Sequence, residues 1–154
     1  MLTNKTALVT GASRGIGAAI AKSLAKEAAF VIINYNGSKE RADAVAAEII
    51  ADGGKAAVYG CNVSDYGACE KMAKDIMETY GHLDILVNNA GITRDDLLMK
   101  MSEEAFDAVI ATNLKGTFNT IRHFSRYLLK QRSGTIINLS SVSGILGNAG
   151  QANY

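Results

Sequence analysis

The 154-residue sequence has no proline and only two cysteines. Long loops and sharp turns usually contain proline, so its absence favours a core of helices and strands joined by short connections. Cys61 and Cys69 are too few for a disulfide framework and lack the spacing of metal ligands. We therefore expect two reduced thiols packed in the interior. His82 and His123 are isolated in the sequence, so no metal site is predicted.

The sequence also lacks an excess of charge of one sign. It has no long hydrophobic segment either. The formal net charge is +1, with 48% hydrophobic and 20% charged residues, so no overall field favours nucleic acid or an anionic membrane as a partner. No apolar segment reaches the roughly 18 residues that a membrane span needs. The sequence enters a strand-like segment without a signal-peptide pattern, and we expect a cytoplasmic protein.

What the sequence does contain is a regular alternation of short apolar segments and helical stretches. The apolar segments are rich in β-branched residues and lack polar alternation, which is typical of strands in a parallel sheet covered on both faces. The predicted strands are 5–10, 30–34, 56–60, 84–88 and 135–140, and the predicted helices are 15–28, 38–52, 65–80 and 102–131. Repeated β-α-β units with right-handed crossovers predict a doubly wound α/β fold with three layers, α/β/α.

The last predicted helix is the longest. Ser102 is a candidate N-cap, because two glutamates follow it in the first turn, where the helix dipole favours negative charge. Gly134 is predicted to stop this helix. Five side chains within it recur at helical spacing, namely Leu114, Phe118, Ile121, Ser125 and Leu128.

Glycines crowd the junction between the first strand and the first helix. Gly11, Gly15 and Gly17 lie there, with Ser13 and Ile16 between them. Glycine lets the backbone turn tightly and lets a pyrophosphate group approach the N-terminus of the following helix. The alternative is a glycine-rich turn that serves packing alone. The strand before it and the helix after it favour a dinucleotide-binding loop.

The end of the second strand indicates which dinucleotide is bound. An acidic residue there would accept hydrogen bonds from the adenosine ribose and favour NAD, and none is present. Arg14 lies in the glycine loop instead, and Asn36, Ser38 and Lys39 follow the strand. Cationic and hydroxyl donors suit a 2′-phosphate, so we predict NADP(H). The alternative is that Arg14 and Lys39 are only solvated surface charges.

Two later motifs complete a recognisable pattern. Asn88-Asn89-Ala90-Gly91 follows the fourth strand, and Ser141 stands thirteen residues before Tyr154. With the glycine loop, and in this order, they resemble the short-chain dehydrogenase/reductase family, most closely its β-ketoacyl-acyl-carrier-protein reductases. The resemblance implies a Rossmann-like sheet of strand order 3-2-1-4-5. It also implies that residues 1–154 form a single dinucleotide-binding domain, the N-terminal portion of a longer one whose C-terminal part lies outside this sequence.

The resemblance assigns further residues to the cofactor. Asn62 and Val63, which follow the third strand, match the family's adenine-contacting turn. Asn89, Ala90 and Gly91 are expected beside the cofactor, at the end of the fourth strand. With the glycine loop, these positions would line one continuous NADP(H) site.

The resemblance also implies a catalytic centre. Reducing a ketone requires a hydride at carbon and a proton at the developing alkoxide. Tyr154 is expected to donate the proton and Ser141 to hydrogen-bond the substrate carbonyl. Asn113 is expected to be a further catalytic residue and Gln151 to lie at the substrate. The family's catalytic lysine comes four residues after the tyrosine, where this sequence has ended, so we expect the chain by itself to be impaired in catalysis.

The function implied is NADPH-dependent reduction of a 3-oxoacyl thioester on acyl carrier protein to the 3-hydroxyacyl form, in fatty-acid biosynthesis. Lys130 and Arg132 are candidate contacts for that acidic carrier, unless they are solvated charges favoured by a helix C-terminus. The alternatives are a short-chain reductase of acetoacetyl-CoA or of another ketone or alcohol, and an NADP-binding fragment without turnover. A homo-oligomer is also implied, a tetramer in the full-length family.

Overall fold

The computed structural model describes residues 1–154 and contains one five-stranded sheet. Its strands are β1 (Thr6–Val9), β2 (Phe30–Tyr35), β3 (Lys55–Gly60), β4 (Ile85–Asn88) and β5 (Thr135–Asn138). All neighbouring strands are parallel, in the order β3-β2-β1-β4-β5. The predicted fold class and strand order are therefore confirmed, and the strand ends differ from the predicted ones by no more than a residue or two.

Helical segments connect successive strands, and one short helix follows the last strand. They are α1 (Gly15–Lys26), α2 (Lys39–Ala51), α3 (Tyr66–Tyr80), α4 (Glu103–Val109), a π-helical segment (Ile110–Lys115), α5 (Gly116–Gln131) and α6 (Val142–Leu146). The single helix predicted over 102–131 is thus interrupted by a π-helical segment. Helix α6 was not predicted, because its five residues are too few to show helical periodicity.

The two predicted ends of this long helical region have different outcomes. Ser102 is the N-cap of α4, and its side chain accepts a hydrogen bond from the Ala105 amide at 3.1 Å, as predicted. The predicted end of the helix at residue 131 is confirmed, but Gly134 is not the residue that caps it. Helix α5 ends at Gln131, and Arg132 takes the left-handed conformation with φ 56°, donating its amide to the Leu129 carbonyl. An arginine therefore fills the position that glycine usually takes.

Alternate side chains of each central strand pack into two separate hydrophobic layers. Val9 of β1 faces α1 and α2, whereas the preceding Leu8 faces α3 and α5. Both side chains are completely buried. A strand covered on both faces has no polar side, which explains the uninterrupted apolar segments in the sequence.

Helix α5 packs on the sheet through a face that its apolar periodicity did not indicate. Its buried residues are Gly116, Asn119, Thr120, His123 and Phe124. By contrast, Leu114 and Phe118 of the apolar stripe are 65% and 56% exposed. The stripe is therefore divided, because Leu114 and Phe118 lie on the outer side while Ile121 packs against the core. Phe124, together with small and polar residues, forms the contact with α3 and β4.

No helix is both long enough and apolar enough to cross a membrane.

The assignment of the buried face of α5 can be tested by measuring the stability of two variants. Replacing the fully buried Phe124 (Phe124→Ala) is expected to lower the free energy of unfolding by about 3–5 kcal/mol, because it leaves a cavity in the core. Phe118→Ala is the matched control and is expected to change it by no more than about 0.5 kcal/mol. Urea unfolding followed by circular dichroism, at low protein concentration, measures both. A larger loss for Phe118→Ala would contradict the assignment of the buried face.

Candidate active site at the carboxyl edge of the sheet

The predicted site residues follow the ends of different strands. Because all five strands run in the same direction, their carboxyl ends meet at one edge of the sheet. The structure therefore brings together residues that are far apart in sequence. At this edge lie Gly11, Ser13, Arg14, Gly15, Ile16 and Gly17 after β1, Asn36 after β2, Asn62 and Val63 after β3, Asn89, Ala90 and Gly91 after β4, and Ser141 after β5.

The glycine loop fits closely against the loop that follows β4. Gly11 has φ +61°, and a Cβ placed on it would lie 2.8 Å from the Cα of Ala90. A Cβ on Gly17 would overlap the Asn89 side chain and lie 2.6 Å from the Gly11 carbonyl oxygen. Gly15 has φ +56° and faces open space. Two glycines thus permit close packing, and the third leaves room in front of α1.

The N-terminus of α1 is open to a ligand. Arg14 precedes the helix with an extended backbone, its side chain makes no capping hydrogen bond, and the first turn contains no acidic residue. The amide groups of the first turn therefore point outward without a protein partner. Combined with the partial positive charge of the helix N-terminus, they suit a phosphate group.

The buried side chain of Asn34 ties the glycine loop to the end of β3. Its Oδ1 accepts a hydrogen bond from the Gly11 amide at 3.1 Å, and its Nδ2 donates to the carbonyl oxygens of Cys61 at 3.0 Å and Tyr59 at 3.2 Å. The Asn34 carbonyl also accepts from the Ala12 amide. Sequence analysis missed this residue, although an asparagine within an otherwise apolar strand was the available signal.

The two cations predicted to bind a 2′-phosphate differ in their surroundings. Lys39 is in an ion pair with Asp43, at 2.7 Å, and that hydrogen bond raises the pKa of Lys39. Arg14 is exposed and forms no ion pair. Asn36 is also exposed, one residue beyond the end of β2. Arg14 is therefore the cation whose charge is available to a ligand at this edge.

The turn after β3 is held by its own side chains. Asn62 Oδ1 accepts hydrogen bonds from the amide of Ser64 at 3.1 Å and from its hydroxyl at 2.8 Å. The next residue, Val63, is buried, and its carbonyl oxygen accepts from Asn119 Nδ2 at 2.8 Å. The turn is thus fixed on α5, with the amide side chain of Asn62 at the surface.

Thr10 joins the loops that follow β1 and β4. Its Oγ1 accepts hydrogen bonds from the amides of Asn89 and Ala90, both at 3.0 Å. In return, Asn89 Nδ2 donates to the Thr10 carbonyl at 2.9 Å. Asn88 holds the central sheet, because its side chain pairs with Asn138 of β5 and with Thr120 of α5.

The three predicted catalytic residues line one open cleft of about 440 Å³. This volume is within the usual range for a small-molecule site. The Ser141 Oγ accepts a hydrogen bond from the Ser143 amide at 3.2 Å, which leaves its own hydroxyl proton free to donate. The cleft is lined by residues that include Ile16, Asn89, Ala90, Gly91, Asn113, Ser141 and Tyr154.

Asn113 lies inside the π-helical segment and is bound to the loop after β4. Its Oδ1 accepts from the Ile92 amide at 2.8 Å, and its Nδ2 donates to the Ile92 carbonyl at 3.0 Å. Segments of π-helix are frequent at functional sites, because they turn a side chain away from regular helical geometry. Here the segment directs an amide at the backbone beside Gly91.

The segment that carries Tyr154 is anchored by its neighbour. Asn153 is 4% exposed, and its Nδ2 donates to the carbonyl oxygens of Arg94 at 2.9 Å and Ala105 at 3.2 Å. Sequence analysis missed this anchor. Gln151, predicted to contact substrate, does not line the cleft; its amide instead binds the Asp95 carboxylate at 3.1 Å.

Lys130 and Arg132 are not brought to the cleft. They flank Gln131 at the end of α5, and the Gln131 side chain binds the backbone of Leu83, just before β4 begins. That end of α5 therefore lies at the amino edge of the sheet, opposite the cleft. Both cationic side chains are exposed and form no ion pair.

Comparison with known proteins agrees with this geometry. Residues 5–154 match the short chain dehydrogenase family. The chain is 56% identical over 154 residues to 3-oxoacyl-(acyl-carrier-protein) reductase FabG of Staphylococcus aureus, and 50% identical over 153 residues to a 3-oxoacyl-(acyl-carrier-protein) reductase of Synechocystis. These matches cover 100% and 99% of the chain, but only 63% and 62% of the relatives. The chain therefore spans less than two thirds of their length.

Two solved structures are similar over 99% of the chain. One is a short chain dehydrogenase from Mycobacterium avium, with a TM-score of 0.92 and 43% identity over 59% of its length. The other is a metagenomic short-chain oxidoreductase in complex with NADP, with a TM-score of 0.95 and 39% identity over 69% of its length. Sheet order, site geometry and these matches together show that the chain belongs to the short-chain dehydrogenase family.

Proposed function

We propose that the chain binds NADP(H) at the carboxyl edge of its sheet and carries the reducing centre for a 3-oxoacyl thioester in fatty-acid biosynthesis. The observation that supports this most directly is the shared cleft. It places Ser141, Tyr154 and Asn113 next to the loop after β4, with Ile16 of the glycine loop on the same wall. The relatives named as 3-oxoacyl-(acyl-carrier-protein) reductases support the same substrate class.

The residues around the first turn of α1 fit a dinucleotide that carries a 2′-phosphate. The uncapped first turn of α1 and the open space at Gly15 would receive the pyrophosphate. Arg14 would pair with the 2′-phosphate, since its guanidinium group has no protein partner and binds phosphate through two parallel hydrogen bonds. The NADP complex of the metagenomic oxidoreductase supports the choice of dinucleotide.

When bound, the dinucleotide supplies a hydride, and the protein supplies polar groups for the carbonyl oxygen. Ser141 donates its hydroxyl proton in a hydrogen bond to that oxygen, because a carbonyl oxygen can only accept and the contact with the Ser143 amide leaves this proton free. Tyr154 then donates a proton as the oxygen becomes an alkoxide. Asn113 positions the loop beside Gly91 through its two hydrogen bonds to Ile92.

Carrier binding and self-association are parts of the same proposal. Lys130 and Arg132 would bind an acidic carrier protein through charge pairing. Because they lie at the edge opposite the cleft, a carrier held there would deliver its thioester to the cleft of a second copy. The exposed Leu114 of the π-helical segment and Phe118 of α5 support a contact between copies, since apolar side chains grouped on one surface are typical of interfaces.

Cofactor choice can be tested with the chain itself. Arg14→Ala is expected to weaken NADPH binding by about 10-fold to 100-fold, because a charge-assisted hydrogen bond to phosphate is lost. NADH affinity should change by less than about 3-fold, since NADH has no 2′-phosphate. Nicotinamide fluorescence titration gives both constants. Lys39→Ala is the matched control, expected to have the smaller effect because Lys39 is paired with Asp43. An equal loss for NADPH and NADH would contradict the assignment of Arg14.

The reducing centre can be tested in a chimera that joins the chain to the residues following the matched region in the Staphylococcus aureus relative. We expect this chimera to oxidise NADPH with a 3-oxoacyl thioester of acyl carrier protein, and the chain alone to be much slower. Tyr154→Phe should lower kcat by about 100-fold to 10,000-fold and Ser141→Ala by about 100-fold. Ser143→Ala is the control, because Ser143 contacts Ser141 only through its amide.

Two results would count against this assignment of roles. Full activity in the Tyr154→Phe chimera would remove Tyr154 as the proton donor. NADPH binding without reduction of any 3-oxoacyl thioester by the chimera would leave dinucleotide binding as the function of the chain.

The carrier contact has its own test in that chimera. Substituting both cations, Lys130→Glu with Arg132→Glu, should raise KM for the carrier-linked substrate by about 10-fold, since each rim charge pair contributes up to about 1 kcal/mol. KM for the corresponding coenzyme A thioester should not change. Equal effects on the two substrates would contradict a contact with the carrier, and no effect on either would identify these residues as solvated surface charges.

A further inference from the structure

Asn36 and Gly37 form the only asparagine–glycine pair in the sequence. The pair follows Tyr35, the last residue of β2, and precedes α2, which begins at Lys39. Asparagine is chemically labile, and glycine has no Cβ, so its backbone nitrogen can approach the amide carbon of the preceding side chain without hindrance. An asparagine before a glycine therefore loses its side-chain amide readily wherever the fold leaves both residues free.

The fold leaves this pair free. Both residues are exposed, and neither belongs to a helix or a strand. The Asn36 side chain makes no hydrogen bond, whereas the side chains of Asn34 and Lys39 on either side of it do. The Gly37 amide donates to no backbone carbonyl, and a Cβ placed on Gly37 would meet no heavy atom within 4 Å. No hydrogen bond has to break before the Gly37 nitrogen and the Asn36 side chain react.

The pair also lies beside the glycine loop. Asn34, two residues before Asn36, accepts hydrogen bonds from the amides of Gly11 at 3.1 Å and Ala12 at 2.8 Å, through its side chain and its carbonyl respectively. In sheets of this kind, an acidic residue at the end of the second strand binds the adenosine ribose and selects NAD. A carboxylate in place of the Asn36 amide would therefore stand where the two dinucleotides are distinguished.

We propose that Asn36 is a deamidation site, and that its conversion to aspartate changes the preference of the chain from NADP(H) towards NAD(H). The Gly37 nitrogen attacks the side-chain carbon of Asn36, and a C–N bond forms as ammonia leaves with the Gly37 amide proton. Water then opens the cyclic imide. Addition at the side-chain carbonyl gives aspartate, and addition at the main-chain carbonyl gives isoaspartate. One water is consumed and one ammonia released, without oxidation or reduction.

The new carboxylate acts on the dinucleotide through its charge. It repels the 2′-phosphate of NADP(H) and competes with it for Arg14, the exposed cation of the glycine loop. With NAD(H) it accepts hydrogen bonds from the ribose hydroxyls instead. Because this consequence rests on the proposed function, the modification and its effect on binding are measured separately.

The modification is tested on the whole chain, incubated at mildly alkaline pH in the native state and, separately, unfolded in guanidinium chloride. Intact mass spectrometry follows the conversion of an amide to an acid, and peptide mapping assigns it to a residue. We expect Asn36 to convert in the native chain at no less than about one fifth of its rate in the unfolded chain, because neither burial nor hydrogen bonding protects it.

Gly37→Ala is the matched control for the chemistry. The structure has room for the added methyl group, and Gly37 does not take the left-handed conformation, so the fold should tolerate the change. The methyl group hinders the attacking nitrogen and should slow the conversion of Asn36 by about 10-fold or more in both states. Slower conversion in the native chain than stated, or equally fast conversion in Gly37→Ala, would overturn the proposal.

Binding is measured by nicotinamide fluorescence titration of NADPH and NADH with three forms: the untreated chain, the separated aspartate product and the Asn36→Asp variant. In both modified forms we expect NADPH affinity to fall by about 10-fold or more and NADH affinity to be unchanged or higher. Asn4→Asp adds the same charge at an exposed residue just before β1, at the opposite edge of the sheet. It should leave both constants within about 2-fold.

The two proposals fail in different ways. An equal loss of affinity for the two dinucleotides, or unchanged constants in Asn36→Asp, would overturn the change of preference while leaving the dinucleotide site in place. An untreated chain that binds neither dinucleotide would refute the proposed function and the change of preference with it. The mass measurement would still decide whether Asn36 deamidates.

Discussion

All five strands of the sheet run in one direction, and this constraint decides where the molecule can bind and transform a ligand. Helices cover both faces of the central strands β1, β2 and β4, whereas the residues of the edge strand β5 are exposed. The loops that leave the carboxyl ends of the strands are the remaining surface where segments distant in sequence meet. The candidate cofactor residues and Ser141 belong to those loops or to the first turn of α1, while Tyr154 reaches the same edge through its anchored segment.

Buried polar side chains turn these separate loops into one structure. Asn34 joins the glycine loop to the turn after β3, Thr10 joins it to the loop after β4, and Asn113 joins that loop to the π-helical segment. A buried amide or hydroxyl is costly unless its hydrogen bonds are satisfied. These side chains therefore fix the spacing between loops, and the same spacing sets the distance between a dinucleotide and the cleft that holds Ser141.

Sequence reasoning succeeded where local pattern decides structure and failed where tertiary contacts do. Uninterrupted apolar segments gave all five strands, and the glycine spacing located the loop before α1. The buried face of α5 could not be predicted, because it uses Asn119 and Thr120 for polar contacts to neighbouring segments and leaves Phe118 outside. The pairing of Gln151 with Asp95 depends on a contact across 56 positions and was not predicted, while the place of Gln151 at the substrate stays a prediction from resemblance. Asn34 was missed for the same reason.

The central claim is that the glycine loop and the cleft are two ends of one dinucleotide site. A crystal structure of the chain with NADP⁺ tests it most directly. The account predicts the pyrophosphate at the first turn of α1, the 2′-phosphate against Arg14, and the nicotinamide ring in the cleft between Ser141 and Tyr154. A dinucleotide bound with its nicotinamide outside that cleft, or bound away from the glycine loop, would contradict it.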